Sequence, residues 1–248
     1  MKVTLKGLRL AFPHIWEPQQ PQKAGGEAAY NGSFIFPLTD SDKSVAAVAN
    51  EELKKAQAAM QQVAVEKWGA KAGDVFKTLR AKGDICLLDG ATKAEYDGFD
   101  GNKYVSARNK AKPVIVATKK FNGKVITVDE GNNAYIDGQR LRDLPFDVKA
   151  PYSGCYVNVT LDIWAQDNQY GKRINAKLLA IQFNRDGESF GGGESFSSDD
   201  FDFEDGGSGD AGFGFDGDEK SGGSAGGSDD GFFGGDAGES SSEGGFFD

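Results

Sequence analysis

From Cys155 to Trp164 the chain alternates, with Cys155, Val157, Val159, Leu161 and Ile163 on one side and Tyr156, Asn158, Thr160, Asp162 and Trp164 on the other. A period of two is that of a strand with one buried face. After a turn region containing Gln169-Tyr170-Gly171, the run from Lys172 to Asn184 carries Ile174, Ala176, Leu178, Leu179, Ile181 and Phe183, and the two runs read as a hairpin. Val114-Ile115-Val116 leads through Asn122-Gly123, a dipeptide suited to the positive φ angles of a tight turn, into Val125-Ile126-Thr127-Val128. Asp137-Gly138 is a further turn of that kind. Near the N-terminus Val3 and Leu5 follow one alternation and Leu8 and Leu10 the opposite one, so a bulge or bend is expected at Gly7. Phe34, Phe36 and Leu38 mark another strand. Thr39-Asp40-Ser41-Asp42 then supplies capping side chains for a helix of about 25 residues. Its apolar stripe, Val45, Val48, Ala49, Leu53, Ala56, Met60 and Val63, recurs at spacings of three and four and reads as a packing face.

Short strands, Gly-containing turns and an inserted helix predict a mainly β fold built on a small barrel of the oligonucleotide-binding (OB) kind. Composition divides the chain into a domain over 1–186 and a tail over 187–248. The tail holds 20 of the 35 Gly and 10 of the 18 Phe but no Leu, Ile, Val, Met, Trp or Tyr. Such a segment cannot offset its ordering entropy with a core, so a disordered acidic tail is expected, opening on the linker Gly191-Gly192-Gly193. Its glycines and aspartates do not keep the spacing of calcium-binding nonapeptides.

The division changes the reading of charge. The chain carries -10 overall, but Gly187 to Asp248 contains 17 Asp and Glu against Lys220 alone, a net of -16, which leaves +6 on the body. A basic body beside an acidic tail suits a protein that handles polyanions or competes with them. The basic signal concentrates between Asp100 and Asp129, where no acid occurs and Lys103, Arg108, Lys110, Lys112, Lys119, Lys120 and Lys124 provide cations. With Lys103 to Asn109 as a strand, Tyr104, Ser106 and Arg108 share one face. Cations for phosphates and π faces for bases are what a single strand of DNA requires. Tyr156 and Trp164 stand on the non-core parity of their strand. Phe121 lies next to one turn and Tyr170 next to another, with Lys172 and Arg173 beside Tyr170, and these rings extend the set of stacking candidates. A lysine-blunted sheet edge is the competing account of the basic strand, and packing under the helix or a loop that of the outward aromatics.

Enzyme chemistry is poorly provided for. His14 is the only histidine, Gly123-Lys124 and Gly171-Lys172 lack the upstream glycine of a phosphate-binding loop, and Asp97, Asp100 and Asp129-Glu130 read as turns rather than a metal site. No cofactor is expected. Cys86 and Cys155 form no Cys-x-x-Cys pair and are expected to be small apolar residues of a reducing compartment. No apolar run is long enough for a membrane span or a secretion signal, and a cytoplasmic location is expected.

Four stretches carry a family likeness: Leu8-Arg9-Leu10-Ala11-Phe12-Pro13, Lys103-Tyr104-Val105-Ser106-Ala107-Arg108-Asn109, Pro151-Tyr152-Ser153-Gly154-Cys155-Tyr156-Val157, and Ile181 to Glu188 followed by Phe190-Gly191-Gly192-Gly193. In these the chain resembles tailed-phage single-stranded DNA-binding proteins with an OB fold. The resemblance implies binding of replication or recombination intermediates without catalysis, with the stretch from Tyr104 to Lys112 as DNA surface. The tail is similar in kind to the acidic C-termini of single-strand binders. Phe246, Phe247 and Asp248 close it, an aromatic anchor with carboxylates for docking on replication or recombination proteins. The rival expectations are an acidic interaction protein whose body has no DNA affinity, and a metal-dependent nuclease.

Overall fold

In the computed structural model, residues 1–20 and 26–191 are described; the linker from Gly192, the Phe-rich tail and its terminal Phe246-Phe247-Asp248 lie outside them. The period-two runs become long strands. They are β1 (Lys2–Gln19), β2 (Ala29–Phe36), β4 (Lys103–Asn109), β9 (Tyr156–Asn168) and β10 (Gly171–Arg185), with the short β3 (Leu87–Asp89) pairing beside β4. β1 pairs antiparallel with β2 and β9, β2 with β4, and β9 with β10. A parallel pairing of Lys177 with Arg108 joins β10 to β4 and closes a five-stranded barrel of the OB kind. Closure leaves no free edge among these five strands, and their inward residues fill the interior. Leu5, Leu8, Leu10, Phe34, Phe36, Leu161 and Ile163 are among the fully buried side chains.

Local irregularities fall where the pattern changes phase. Gly7 has φ +67° and the β1–β9 register shifts between Leu5 and Leu8, so both apolar pairs of β1 face the core. A second shift between Leu178 and Ala180 does the same for Leu178 and Ile181. Asn122 and Gly123 (φ +50° and +75°) turn β5 (Val114–Phe121) into β6 (Lys124–Val128). Asp137 and Gly138 (φ +51° and +81°) turn β7 (Ala134–Ile136) into β8 (Gln139–Leu141). β5 continues along β10 from where β4 leaves it, and β5 to β8 extend the sheet as an arm of hairpins.

Helix α1 (Lys43–Trp68) begins at Asp42, whose carboxylate accepts from the Ser44 amide at 2.8 Å. It sits between the second and third barrel strands, lies on β1 and β9, and is followed by α2 (Ala72–Lys82). Val48, an expected member of the apolar stripe, is exposed, because it lies over Gly7, which offers no side chain to cover it. Cys86 and Cys155 are buried free thiols, and burial pushes them up to about 12 and about 11, which leaves both protonated. Among the described residues no helix is long and apolar enough to cross a membrane.

Outside the barrel there is a second, smaller core. Ala11, Ile35 and Tyr104 on the outward faces of β1, β2 and β4 are covered by Phe99, with Leu88 and Phe190 packed against them.

Candidate nucleic-acid interface

The basic stretch is divided by the fold. β4 places Lys103, Tyr104 and Arg108 on the barrel, while Lys119, Lys120, Phe121 and Lys124 run out along the β5–β6 hairpin. Acids that the stretch itself lacks arrive from elsewhere in the chain. Asp89 Oδ2 lies 2.9 Å from Lys103 Nζ and, chiefly through that hydrogen bond, is held below the usual carboxylate range. Lys124 pairs with Asp137 at 2.7 Å, and Lys110 with Glu27. Exposed pairs of this kind contribute about 0 to 1 kcal/mol each and exchange readily for another anion. Lys112 lies over the Trp16 ring and Lys119 over Phe146, at 5.7 and 5.2 Å from the centroids.

Two of the expected stacking residues are internal. Tyr104 is 3% exposed, with its ring edge-on to Phe99 at 4.9 Å. Tyr156 is 7% exposed and donates to Asp40 Oδ2 at 2.7 Å, and the Arg185 guanidinium lies 3.8 Å from its ring centroid. Both stand on the outward parity that the alternation assigns them, but a second layer covers them. Neither offers a free face to a base. Phe121 is partly buried against the core.

Trp164 and Tyr170 are different, at 43% and 79% exposed. Trp164 stands outward on β9 opposite Asn175 of β10, and Tyr170 forms the β9–β10 turn. The same hairpin carries Arg173, paired with Asp84 at 2.9 Å, and Lys172, paired with Asp167.

The parallel closure of the barrel joins segments that are distant in sequence. Arg108 of β4 stands in register with Lys177 of β10, and Lys177 with Asp162 of β9. On the other side Arg108 is in register with Asn31 of β2, and Asn31 with His14 of β1. A polar band therefore crosses the outer face, with the exposed Arg108 and Lys177 at its centre and Trp164 one outward step, about 7 Å, away along β9. Among the described residues neither cation has a carboxylate within ion-pair distance. Lys177 is absent from the sequence-derived set because it lies alone between Ala176 and Leu178; only the barrel register reveals its neighbour.

A second aromatic group lies elsewhere on the outer face. Phe12 and Tyr96 touch edge to face at 5.1 Å, and Lys93 Nζ lies 4.8, 5.3 and 5.1 Å from the Phe12, Phe99 and Tyr104 centroids. Desolvation among these rings lowers the Lys93 pKa. Phe12 continues the core-facing alternation of Leu8 and Leu10, and only the bulge turns it outward, while Tyr96 sits in a loop with no strand pattern. Among the described residues no cluster of acids, histidines or cysteines is arranged to hold a metal ion.

A family model described as Enterobacter phage Enc34, ssDNA-binding protein, matches residues 1–211. Protein p50 of Acyrthosiphon pisum secondary endosymbiont phage 1 is 36% identical over 206 residues, covering 82% of this chain and 93% of that protein. Among solved structures, the single-stranded DNA-binding protein of bacteriophage Enc34 in complex with ssDNA aligns at 20% identity and a TM-score of 0.47, over 77% of this chain and 89% of that one. The single-stranded DNA-binding protein gp2.5 of bacteriophage T7 aligns at 13% identity and a TM-score of 0.41, over 78% and 91%.

Proposed function

The chain belongs to the family of the Enterobacter phage Enc34 single-stranded DNA-binding protein, and from that premise we propose that it binds single-stranded DNA without sequence preference and covers replication or recombination intermediates. The observation that carries this reading is the register of Arg108 with Lys177 on the closed barrel, beside exposed Trp164. Two cations on adjacent strands, neither paired with a carboxylate among the described residues, present a seat for phosphates, and an exposed indole beside them presents a flat face to a base. Stacking and phosphate neutralisation do not depend on base identity, so the binding is tolerant of sequence. Lys110, Lys112, Lys119, Lys120, Lys172 and Arg173 extend the cationic surface on either side, and Tyr170 supplies a further ring.

The tail, with its net charge of -16, acts as a tethered competitor for the same cations and presents Phe246, Phe247 and Asp248 to replication or recombination proteins. The experiment is a fluorescence titration of dT oligomers of several lengths over a salt series. Affinity falls by about 0.7 log units per log salt for each phosphate neutralised. Arg108→Glu with Lys177→Glu weakens binding to all sequences and flattens the slope by about 1.4, two such contacts. Removing residues 194 to 248 raises affinity at low salt, and the gain shrinks as salt screens the tail. An unchanged slope in the double variant would place the phosphate path on another face; equal low-salt affinities with and without the tail would remove it as a competitor.

A further inference from the structure

We propose that Phe12 and Tyr96 form a base-stacking subsite separate from the cationic band, and that Phe190 is the residue that positions it. The proposal rests on the single-stranded DNA reading and names a second place where bases are received.

The ring pair is held at the surface against local cost. Phe12 has φ +49°, in a bulge where the β1–β2 register shifts between Ala11 and His14. A left-handed non-glycine residue persists only where its surroundings over-determine it, and such residues concentrate at binding sites. The bulge leaves Phe12 38% exposed, beside Tyr96 at 48%. From below, Phe12 rests on Phe99 at 5.7 Å with the planes 28° apart, and Phe99 rests on Tyr104. Phe12 thus stands on two buried rings, and Tyr96 leans edge-on against Phe12.

The charges around the pair select which part of a nucleotide approaches. The segment from Gly90 to Asn102 contributes Glu95, Asp97 and Asp100 against Lys93, whose ammonium is already engaged by three rings. Phosphates are repelled there, whereas the uncharged face of a base is not. An open groove of about 340 Å³ lies between the ring pair and Phe190.

Phe190 forms the back wall. Its ring covers Gly98, where an added Cβ would fall 2.5 Å from Phe190 Cζ, so the loop carrying Tyr96 and the ring are fitted to one another. The Arg9 guanidinium lies 4.3 Å from the Phe190 centroid and 5.0 Å from that of Tyr156, extending the stack of Arg185 on Tyr156. Arg9 also donates to the Gly154 and Glu188 carbonyls, both at 2.6 Å. The Phe190 amide donates to the Ser153 carbonyl at 3.3 Å, and the Gly191 amide to Asp97 Oδ2 at 3.2 Å. Composition groups residues 187–191 with the tail, yet they are bound to the barrel and back the loop of Tyr96.

The test uses the full-length protein and fluorescent dT oligomers over a salt series. Tyr96→Ala and Phe12→Ala each weaken binding about 5- to 150-fold at every salt concentration, with the slope unchanged because no phosphate contact is lost. An oligomer carrying 5-iodouracil photocrosslinks to Tyr96 or Phe12. Phe190→Ala lowers both affinity and crosslink yield, and Phe190→Tyr, which keeps the ring, restores both. If the wild type binds with a steep slope while folded Tyr96→Ala and Phe12→Ala bind equally well and no crosslink forms, the subsite falls and the DNA reading stands. A flattened slope in those variants would make the patch a phosphate contact and overturn the proposal. Normal affinity and crosslinking in Phe190→Ala would overturn the positioning role. A wild type without affinity would instead overturn the DNA reading itself.

Discussion

Tyr104 and Tyr156 stand on the outward side of the barrel, as Trp164 does, and share its alternation with core residues, yet the two tyrosines are buried and the tryptophan is not. The difference lies in what covers each ring. Over β1, β2 and β4 the chain adds the loop from Gly90 to Asn102 and the strap ending at Phe190, which build a second core on the barrel's exterior that buries Tyr104. Tyr156 is covered by the Arg9 and Arg185 guanidinium groups and by the strap at Gly187. Among the described residues nothing comparable covers Trp164 on β9 or Tyr170 at the β9–β10 turn. Strand parity decides only which side of the sheet a ring occupies; whether that side is wet depends on what the connecting segments do.

The comparison breaks most visibly if the buried set is truncated. Tyr104→Ala removes a ring that packs on Phe99 and lies under Lys93, and large-to-small changes of an aromatic at such a site cost about 3 to 5 kcal/mol. Chemical denaturation of the variant should display that loss, with DNA affinity changed only as far as the outer core loosens. A stable Tyr104→Ala protein with weakened binding would return Tyr104 to the interface. Trp164→Ala is the opposite case. Its ring is exposed, so stability changes by no more than about 0.5 kcal/mol, while affinity for dT oligomers falls by about 1 to 3 kcal/mol through loss of one stacked base. Unchanged affinity would leave the band with cations alone.

The same contrast marks what was legible in the sequence. The strands, the Gly7 bulge, the turns at Asn122-Gly123 and Asp137-Gly138, and the α1 cap all rest on local chemistry and are present, except that β2 stops at Phe36 and leaves Leu38 in the turn beyond it. Barrel closure was legible as a class, from short alternating strands. The partners of the cations were not: Asp89, Glu27 and Asp137 reach Lys103, Lys110 and Lys124 only through tertiary structure, so an acid-free stretch of sequence is not an acid-free surface. Lys177 and Phe12 were missed for a related reason. One needs the parallel register with Arg108 to acquire a neighbour, and the other needs a bulge whose positive φ no residue type there announces.

The finest separation of the two sets concerns one oxygen. The Tyr156 hydroxyl donates to Asp40 Oδ2 at 2.7 Å, and its pKa is raised, first by burial and then by that hydrogen bond. Tyr156→Phe keeps the ring between Arg9 and Arg185 and removes only the donor, so the expected loss is about 1 kcal/mol. For a domain of this size that is about 2 to 4 °C in Tm. The pH dependence has a definite sign. A phenol whose folded pKa lies above its unfolded one contributes its full stability below the unfolded value, about 10, and loses it as the pH rises toward the folded value. The gap between wild type and Tyr156→Phe should therefore be constant from neutral pH to about 9 and narrow above 10. DNA affinity near neutral pH should be the same in both proteins, since the oxygen faces Asp40 and not solvent. A selective loss of binding in Tyr156→Phe, without a change in Tm, would move Tyr156 from the buried set to the exposed one.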